Sequence, residues 1–298
     1  MRLAGFLVAG LTFAQTPPKP ALEFLGKPLQ IESQCKPEDI RAAGLTCSPE
    51  EPCPVFLELT SVEPLGTKLF LAGNLHTATH TLESILLVSG DAGKTWIEPV
   101  SRLAGAGLEN IQFLDYENGW ISGHLLQSAP RDAFFLITSD GGKTWRRRPV
   151  FGESRVGAIE QFRFDSKSSG AMIIDRIQPG ENGMRHELYE SLTGGESWML
   201  RQVDSKPLTL KNYKTSPDTG WRLRPDAATK SYRVEKRAGE RWQTISSFLV
   251  AATDCKPASA AEAEIQPPTE DSVPPESPAV KSGDPVKPAA KRPTLRKH

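Results

Sequence analysis

Three stretches of eight residues share one frame, and this repeat constrains the fold more than any other feature of the chain. The copies run over 89–96, 138–145 and 191–198. The best preserved copy, 138–145, reads Thr-Ser-Asp-Gly-Gly-Lys-Thr-Trp. Each copy lies between two runs of β-branched and aromatic residues, which is typical of a hairpin. The sequence therefore predicts one strand–turn–strand unit that recurs along the chain.

Each residue type in the frame suits a tight turn. Glycine permits a positive φ, and the carboxylate can accept hydrogen bonds from the backbone N–H groups of the turn. The tryptophan opens the next strand and offers apolar surface to a neighbouring element. The predicted structural residues are Ser89, Asp91, Gly93, Thr95, Trp96, Thr138, Asp140, Gly142, Thr144, Trp145, Ser191, Gly195, Ser197 and Trp198. Thr193 replaces the aspartate in the third copy, and a fourth candidate keeps Gly239 and Trp242 with Arg237 at the aspartate position.

The spacing of the repeats predicts the architecture. The tryptophans at positions 96, 145, 198 and 242 are 49, 53 and 44 residues apart, which suits one four-stranded blade per repeat. A second pattern, glycine with aromatic or aliphatic residues, precedes each turn at 69–73, 118–123, 170–174 and 219–222. The strands predicted for the second repeat are 111–115, 120–124, 134–138 and 145–149. We expect an all-β, propeller-like array of about four four-stranded blades, either incomplete or sealed into a small ring by the N-terminal segment.

The frame Ser/Thr-x-Asp-x-Gly-x-Thr/Ser-Trp resembles the Asp-box, or BNR, repeat of β-propeller proteins over roughly 55–250. Together with the upstream glycine–tryptophan pattern, it is most similar to the photosystem II stability/assembly factor type of exported bacterial protein. The resemblance implies that each box is a structural hairpin between the outer strands of a blade. It also implies a non-catalytic scaffold that binds another protein, without implying photosystem assembly itself.

Composition shifts divide the chain into four parts. Residues 1–15 are predicted to be a signal peptide, because Met1-Arg2 precedes a short apolar run; a buried N-terminal strand is the alternative. Residues 16–54 form a Pro- and Cys-containing segment, and 55–255 form the repeat domain. Residues 256–298 are rich in Pro, Ala, Glu and Lys and lack aromatic residues, which predicts a disordered tail. We expect a secreted or periplasmic protein without an integral membrane segment after signal cleavage, since no later stretch approaches 18 apolar residues.

Four cysteines in an exported chain suggest two disulfides, for which sequence alone allows three pairings. The predicted pairs are Cys47 with Cys53, across a short loop, and Cys35 with Cys255, which would tie the N-terminal segment to the end of the repeats. A zinc site is the alternative, and it is disfavoured by the spacing and by the lack of a nearby histidine.

Composition and motifs argue against several classes of ligand. Lys plus Arg equals Asp plus Glu at 36 each, so no charge excess indicates nucleic acid. The Gly-Lys-Thr at 142–144 lacks the glycine that a phosphate-binding loop needs five residues earlier, where Ile137 stands. One carboxylate per turn is too few for calcium, and His76 and His80 are interpreted as a polar loop. No cofactor, metal or catalytic residue is predicted.

A protein partner is predicted. The candidate surface for it is formed by arginines, which could equally be ordinary solvent-exposed residues of strands. The candidates are Arg146, Arg147, Arg148, Arg222 and Arg224. One alternative, implied by the same resemblance, is a sialidase-like glycoside hydrolase, which a convergent cluster of carboxylates, tyrosine and arginine would favour. A second alternative is a cell-surface structural protein, tethered by a tail whose basic end touches an anionic surface.

Overall fold

The computed structural model describes residues 21–33, 37–42, 44–126, 129–176, 185–211, 219–250 and 254–255. The predicted signal peptide and C-terminal tail lie outside the described residues. Within the described part of the chain, one helix, α1 (Pro37–Ala42), accompanies a set of strands. In chain order these are β1 (Leu22–Glu23), β2 (Leu29–Ile31), β3 (Cys53–Pro54), β4 (Phe56–Leu65), β5 (Lys68–His76), β6 (Thr81–Ser89), β7 (Thr95–Trp96), β8 (Ala106–Phe113), β9 (Gly119–Leu126), β10 (Pro130–Thr138), β11 (Arg146–Pro149), β12 (Ala158–Phe164), β13 (Gly170–Arg176), β14 (Arg185–Ser191), β15 (Met199–Asp204), β16 (Trp221–Asp226), β17 (Ser231–Ala238), β18 (Arg241–Val250) and β19 (Asp254–Cys255).

The strands form four antiparallel meanders, which we call blades 1 to 4. Blade 1 is β4–β5–β6, extended by β7 through a bridge between Val88 and Ile97. Blade 2 is β8–β9–β10–β11, and blade 3 is β12–β13–β14–β15. The predicted all-β array of four-stranded blades is therefore confirmed. Strand β8 begins at Ala106 rather than at the predicted position 111, because a register shift between Leu108 and Ile111 breaks the alternation of side chains that predicts a strand.

Blade 4 is built differently. Its meander is β16–β17–β18, and β2 from the N-terminal segment pairs in parallel with the far edge of β18. The glycine–tryptophan pattern places Trp221 where Trp120 stands in β9, so β16 corresponds to the second strand of the other blades. Among the described residues, blade 4 contains no counterpart of the first strands β4, β8 and β12.

The N-terminal segment joins blades 1 and 4. Strand β1 pairs with β7, with Leu22 opposite Trp96, and β2 pairs with β18, with Leu29 opposite Phe248. The chain then forms the Cys47–Cys53 disulfide, next to the pairing of β3 with β19. Cys255 is also disulfide-bonded, whereas its predicted partner, Cys35, lies outside the described residues. The N-terminal segment therefore links blade 4 to blade 1.

Three apolar clusters hold the blades in the order 4–1–2–3. The first lies between blades 4 and 1 and includes Leu71, Trp96, Val234 and Phe248. The second, between blades 1 and 2, includes Phe70, Leu108, Ile121 and Phe134. The third, between blades 2 and 3, includes Trp120, Phe135, Phe164 and Met172. No apolar cluster of described residues joins blade 3 to blade 4.

Side chains of one blade also hold the backbone of the next first strand. The Gln112 side chain of β8 accepts from the Phe164 N–H and donates to the Phe164 C=O of β12, both at 2.8 Å. The Glu63 carboxylate accepts from the Phe113 N–H at 3.4 Å. These bonds satisfy backbone groups on the outer edge of β8 and β12, which are edge strands of their sheets.

The same arrangement on blade 3 holds a segment that is not part of a sheet. Arg163 of β12, which occupies the position of Glu63 and Gln112, donates to the Lys211 carbonyl at 3.4 Å. The Leu210 N–H donates to the Gln161 side chain at 3.1 Å, and Leu210 is buried. Residues 208–211 therefore occupy, on blade 3, the place that the first strand of the following blade occupies at the other junctions.

Candidate partner-binding face on the fourth blade

The second box shows how the frame builds its turn. The Thr138 hydroxyl donates to Asp140 at 2.8 Å and accepts from the Gly142 N–H at 3.0 Å. Asp140 Oδ1 accepts from the backbone N–H groups of Lys143 and Thr144, both at 3.0 Å. The Thr144 hydroxyl and N–H, with the other donors, lower the pKa of Asp140 to about 2. The hydrogen bonds of this carboxylate are made within the turn.

The first and third boxes differ in the residue at the aspartate position. Asp91 repeats the bonds of Asp140, and although desolvation opposes the shift, donors from Thr95 and its neighbours lower its pKa to about 2. In the third box the Thr193 hydroxyl accepts from the Ser197 N–H at 2.9 Å and bonds the Ser197 hydroxyl at 2.9 Å. The neutral hydroxyl of Thr193 thus keeps part of the hydrogen-bond network that the aspartate forms in the other two boxes.

Each box tryptophan packs against the blade that precedes it. Trp145 of blade 2 lies edge-on to Phe70 of blade 1, with ring centroids 6.3 Å apart. Trp198 of blade 3 stacks on Phe135 of blade 2 at 5.4 Å. Trp96 of blade 1 lies edge-on to Phe248 of blade 4 at 5.3 Å. The turn therefore has a packing role across a blade junction.

The fourth turn does not form a box. Ala238 pairs with Arg241, which leaves a two-residue hairpin turn. Trp242 belongs to none of the three apolar clusters of described residues, and two guanidinium groups lie near its ring. The Arg222 guanidinium lies 4.1 Å from its ring centroid and the Arg237 guanidinium lies 5.0 Å from it. Cation–π contacts with these two groups thus cover this tryptophan.

Blade 3, on the other side of the junction with blade 4, also departs from the repeat. At one aligned position of the second strand, blades 1, 2 and 4 carry Phe70, Trp120 and Trp221, whereas blade 3 carries Ala171. Blade 3 thus lacks an aromatic side chain at the position where Phe70 of blade 1 contacts the following box tryptophan, Trp145. Both halves of the junction between blades 3 and 4 differ from the other three junctions.

The face of blade 4 that carries Trp242 is rich in arginine. Side chains alternate across a strand, so Arg222 and Arg224 of β16 share one face with Arg233, Glu235 and Arg237 of β17. We call these residues, with Trp242, the arginine face. At the position of Arg222 the other blades carry buried apolar residues, which are Leu71, Ile121 and Met172.

Ion pairs fix part of the arginine face. The Arg222 guanidinium lies 2.7 Å from the carboxylate of Glu235, which is buried, and Arg233 pairs with Asp226. Arg224 is exposed and forms no ion pair with another described residue. The face therefore presents one arginine held by a buried carboxylate and a second that points to solvent.

The other predicted arginines make contacts within the protein. Arg146 and Arg148 of β11 lie 3.0 and 2.7 Å from the carboxylate of Glu196, in the third box. The Arg147 guanidinium lies 4.3 Å from the centroid of the Phe134 ring. The contacts of Arg146 and Arg148 connect blade 2 to blade 3, and Arg147 covers part of the apolar surface of blade 2.

A second group of polar side chains lies at the ends of strands opposite to the boxes, and sequence analysis missed it. We call it the glutamate cluster and define it as Glu58, Glu109, His124 and Tyr232. Burial raises the pKa of Glu109 to about 7, and the charge of Glu58 adds to this shift. Burial lowers the pKa of His124 to about 4, and its Nε2 lies 3.9 Å from Glu109 Oε1. Burial, with the charge of Glu58, also raises the pKa of Tyr232.

A recurrence in the sequence could have revealed this group. An aliphatic residue followed by glutamate recurs at 57–58, 108–109 and 159–160, with glutamates 51 residues apart. In blade 3 the pattern repeats with His186, whose Nδ1 lies 3.3 Å from Glu160 Oε2. A carboxyl group that is partly protonated at neutral pH, close to a second carboxyl group, is suited to acid–base chemistry.

The histidines of the 76–80 loop make contacts within that loop. His76 Nδ1 lies 2.8 Å from the Thr77 carbonyl, and His80 Nδ1 lies 2.8 Å from the Thr79 hydroxyl, so each histidine is engaged in its own turn. Over the described ranges, no group of three or more His, Cys, Asp or Glu residues is placed to hold a metal ion. In the same ranges no helix has the length and apolar character needed to cross a membrane.

Comparison with known proteins gives limited likenesses. No protein-family model matches the chain, and no curated protein matches it. Among solved structures it is similar to YCF48 bound to D1 peptide, with 16% identity over 64% of this chain and 57% of that chain, and a TM-score of 0.36. It is also similar to an alpha-L-arabinanase of Penicillium chrysogenum complexed with arabinobiose, with 13% identity over 66% of this chain and 63% of that chain, and a TM-score of 0.38. The chain thus spans less than two thirds of either structure, and the fold assignment rests on the sheets and junctions described above.

Proposed function

We propose that the protein is an exported, non-catalytic scaffold of the assembly-factor-like type, which binds a protein partner through the arginine face. The observation that carries this proposal is the contrast between junctions. Three blade faces bury Leu71, Ile121 and Met172 against a neighbouring blade, whereas the equivalent face of blade 4 carries Arg222 beside Trp242. A face of this composition is suited to contact with another molecule rather than to packing within the fold.

The chemistry of the face favours carboxylates of a protein partner. Guanidinium groups bind carboxylates through two parallel hydrogen bonds, and arginine and tryptophan are enriched where binding energy concentrates. The ion pair with buried Glu235 and the stacking on Trp242 hold Arg222 in one orientation. Less side-chain entropy is then lost on binding.

Export is part of the same proposal. The Cys47–Cys53 disulfide is of a kind that persists in oxidising compartments such as the periplasm and the extracellular space. Together with the apolar run near Met1, this bond supports a secreted or periplasmic location.

Site-specific photo-crosslinking in cells that export the protein tests the proposal. A photoreactive residue replaces Arg224 on the arginine face or, as a control, the exposed Arg201 on β15. We expect one discrete protein adduct from position 224 that is absent from position 201 and is lost when Trp242→Ala is added. The same adducts from both positions, or none from position 224, would contradict the assignment of this face.

A carbohydrate-active enzyme is the second candidate, because the glutamate cluster brings Glu58 near Glu109 and shifts the pKa of Glu109 to about 7. Tyr189, with Glu187 and Arg185, is the grouping of tyrosine, carboxylate and arginine that this hypothesis expects, although Tyr189 is buried at 5% exposure. Its hydroxyl donates to Glu187 at 2.6 Å, and burial, with this contact, raises its pKa to about 12.

A panel of aryl glycosides separates the two functions. The enzyme hypothesis expects hydrolysis that falls above pH 7, as Glu109 loses its proton, and that falls about 100-fold in Glu109→Gln. No hydrolysis by the unmodified protein would exclude it.

A further inference from the structure

Among the described residues, strand β16 is paired along one edge, which distinguishes it from its counterparts in the other blades. Each second strand of blades 1, 2 and 3 is flanked on both sides, with β4, β8 and β12 on one edge. Strand β16 pairs with β17, and no described residue pairs with its other edge. The segment expected on that edge is hydrogen-bonded to blade 3 instead, through Leu210 and Lys211.

The backbone groups on the second edge of β16 can be identified. The Arg237 N–H donates to the Gly220 carbonyl at 2.7 Å, so Gly220 and every second residue after it face β17. Trp221 and Leu223 therefore direct their N–H and C=O groups to the other edge. Pro225, which follows them on this edge, has no N–H and limits the edge to two donors.

The two faces that flank this edge differ in chemistry. Leu223 and Trp221 pack against the apolar cluster between blades 4 and 1, whereas Arg222 and Arg224 belong to the arginine face. A strand paired with β16 would alternate between these faces, because its side chains alternate as well. Its side chains next to the two arginines would be favoured if acidic, and those next to Leu223 if apolar.

We propose that an extended segment of a partner protein, with acidic and apolar residues in alternation, pairs with β16 and completes blade 4. This inference rests on the proposed function and names its binding mode as strand addition. Backbone hydrogen bonds to Trp221 and Leu223 supply affinity, and carboxylates opposite Arg222 and Arg224 supply specificity. The three complete junctions show that such a strand has a place in the repeat.

The test uses the mature protein and a fluorescent peptide of sequence Glu-Val-Glu-Val-Glu, followed by anisotropy and by hydrogen exchange. We expect binding that is weakened at least fivefold in a peptide with lysines for glutamates. We expect a similar loss in a peptide in which one valine is replaced by proline, since proline lacks the N–H of a paired strand. Bound peptide should slow exchange in 219–226 and leave unchanged the matched segment 118–125, which β8 already covers.

Arg224→Glu is the variant of choice, because Arg224 is exposed, whereas removal of Arg222 would leave buried Glu235 without its partner. It should weaken binding of the acidic peptide at least fivefold and strengthen that of the lysine peptide. Arg201→Glu on β15, also exposed, is the matched control and should change neither.

Three outcomes would overturn strand addition. Exchange in 219–226 of the unbound protein as slow as in 118–125 would show that the chain itself fills the edge. Binding that tolerates the proline peptide would show that charge alone is recognised, which leaves the scaffold proposal intact. No binding of the acidic peptide would reject the partner chemistry, and the adduct from position 224 would then decide separately whether the arginine face binds a partner.

Discussion

The junctions between blades 1 and 2 and between blades 3 and 4 show opposite solutions to one problem. At the first, Trp145 enters an apolar cluster with Phe70 and Phe113. At the second, Trp242 lies outside the apolar clusters of the described residues, and the guanidinium groups of Arg222 and Arg237 lie near its ring. The comparison shows that the box frame is kept where its tryptophan packs on the preceding blade and is lost at the junction where no apolar cluster of described residues joins the two blades.

Energetics explains why the two features change together. Burial of a tryptophan contributes several kcal/mol only if a close-packed neighbour removes it from water. A box therefore gains most of its stabilising effect from the preceding blade. The turn of blade 4 lacks that contribution, and its tryptophan instead supports guanidinium groups that can meet a ligand.

The largest expected effect comes from removal of the tryptophans. Trp96→Ala removes a side chain with 0% exposure from the cluster between blades 4 and 1. We expect a loss of about 3–5 kcal/mol in the free energy of unfolding. Trp242→Ala, the matched variant at the polar junction, should cost no more than about 1 kcal/mol. Urea denaturation with intact disulfides measures both, and equal losses would remove the distinction between the junctions.

Substitution of the turn glycines sharpens the comparison. Gly142 has a φ of +81°, and an added Cβ would overlap the Phe70 ring across the junction. We expect Gly142→Ala to destabilise the fold by about 2–4 kcal/mol, from strain and overpacking together. Gly239, with a φ of +64°, has nothing within 4 Å of an added Cβ, so Gly239→Ala should cost only about 1 kcal/mol. A smaller loss from Gly142→Ala than from Gly239→Ala would disprove the role of the junction.

Removal of the box carboxylate tests the turn itself. Asp140→Ala deletes an acceptor used by Lys143, Thr144 and Thr138, so we expect a loss of about 1–3 kcal/mol near neutral pH. The pKa of Asp140 in the folded protein, about 2, lies below the pKa of 3.8 of an aspartate in the unfolded chain, so its contribution is present above pH 3.8 and is lost as the pH falls through 2. Thr193→Ala in the third box should lose less and should show no such pH dependence. Denaturation curves between pH 2 and 7 distinguish the two variants.

The smallest effect concerns the bonds that hold first strands. Burial raises the pKa of Glu63 to about 7, although the Phe113 N–H opposes the shift. Stability associated with the protonated form is fully present below pH 4.5 and is lost as the pH rises through 7. Neutral Gln112 makes the equivalent contact one blade later. We therefore expect Glu63→Gln to stabilise the protein by about 1–2 kcal/mol at pH 8, with no gain at pH 4.

Gln112→Glu is the reciprocal variant and should destabilise the protein at pH 8. Unfolding free energies at the two pH values test both changes. A gain from Glu63→Gln that is the same at pH 4 and pH 8 would show that ionisation of Glu63 does not oppose the fold.

Much of the fold could be predicted from local patterns in the sequence. The tryptophan spacing and the glycine–tryptophan pattern predicted four-stranded blades because they reflect turn chemistry and side-chain alternation within one hairpin. The start of β8 was mispredicted, since the shift between Leu108 and Ile111 interrupts the alternation on which such predictions depend. The glutamate cluster was missed because its members come from different blades, and only the packing of blade 1 on its neighbours brings Glu58 close to Glu109 and Tyr232.

The sequence by itself determined the repeated turn, whose frame spans eight residues, and the recurrence of that frame along the chain indicated about four blades. Only the tertiary structure decided which junctions are apolar, where β2 pairs, and that residues 208–211 lie on blade 3 rather than beside β16. Those features depend on contacts between residues far apart in the chain, and no local sequence pattern indicates which distant residues meet. The arginine face exists for the same reason, because Arg222 and Trp242 form a surface only where the repeat of packed junctions stops.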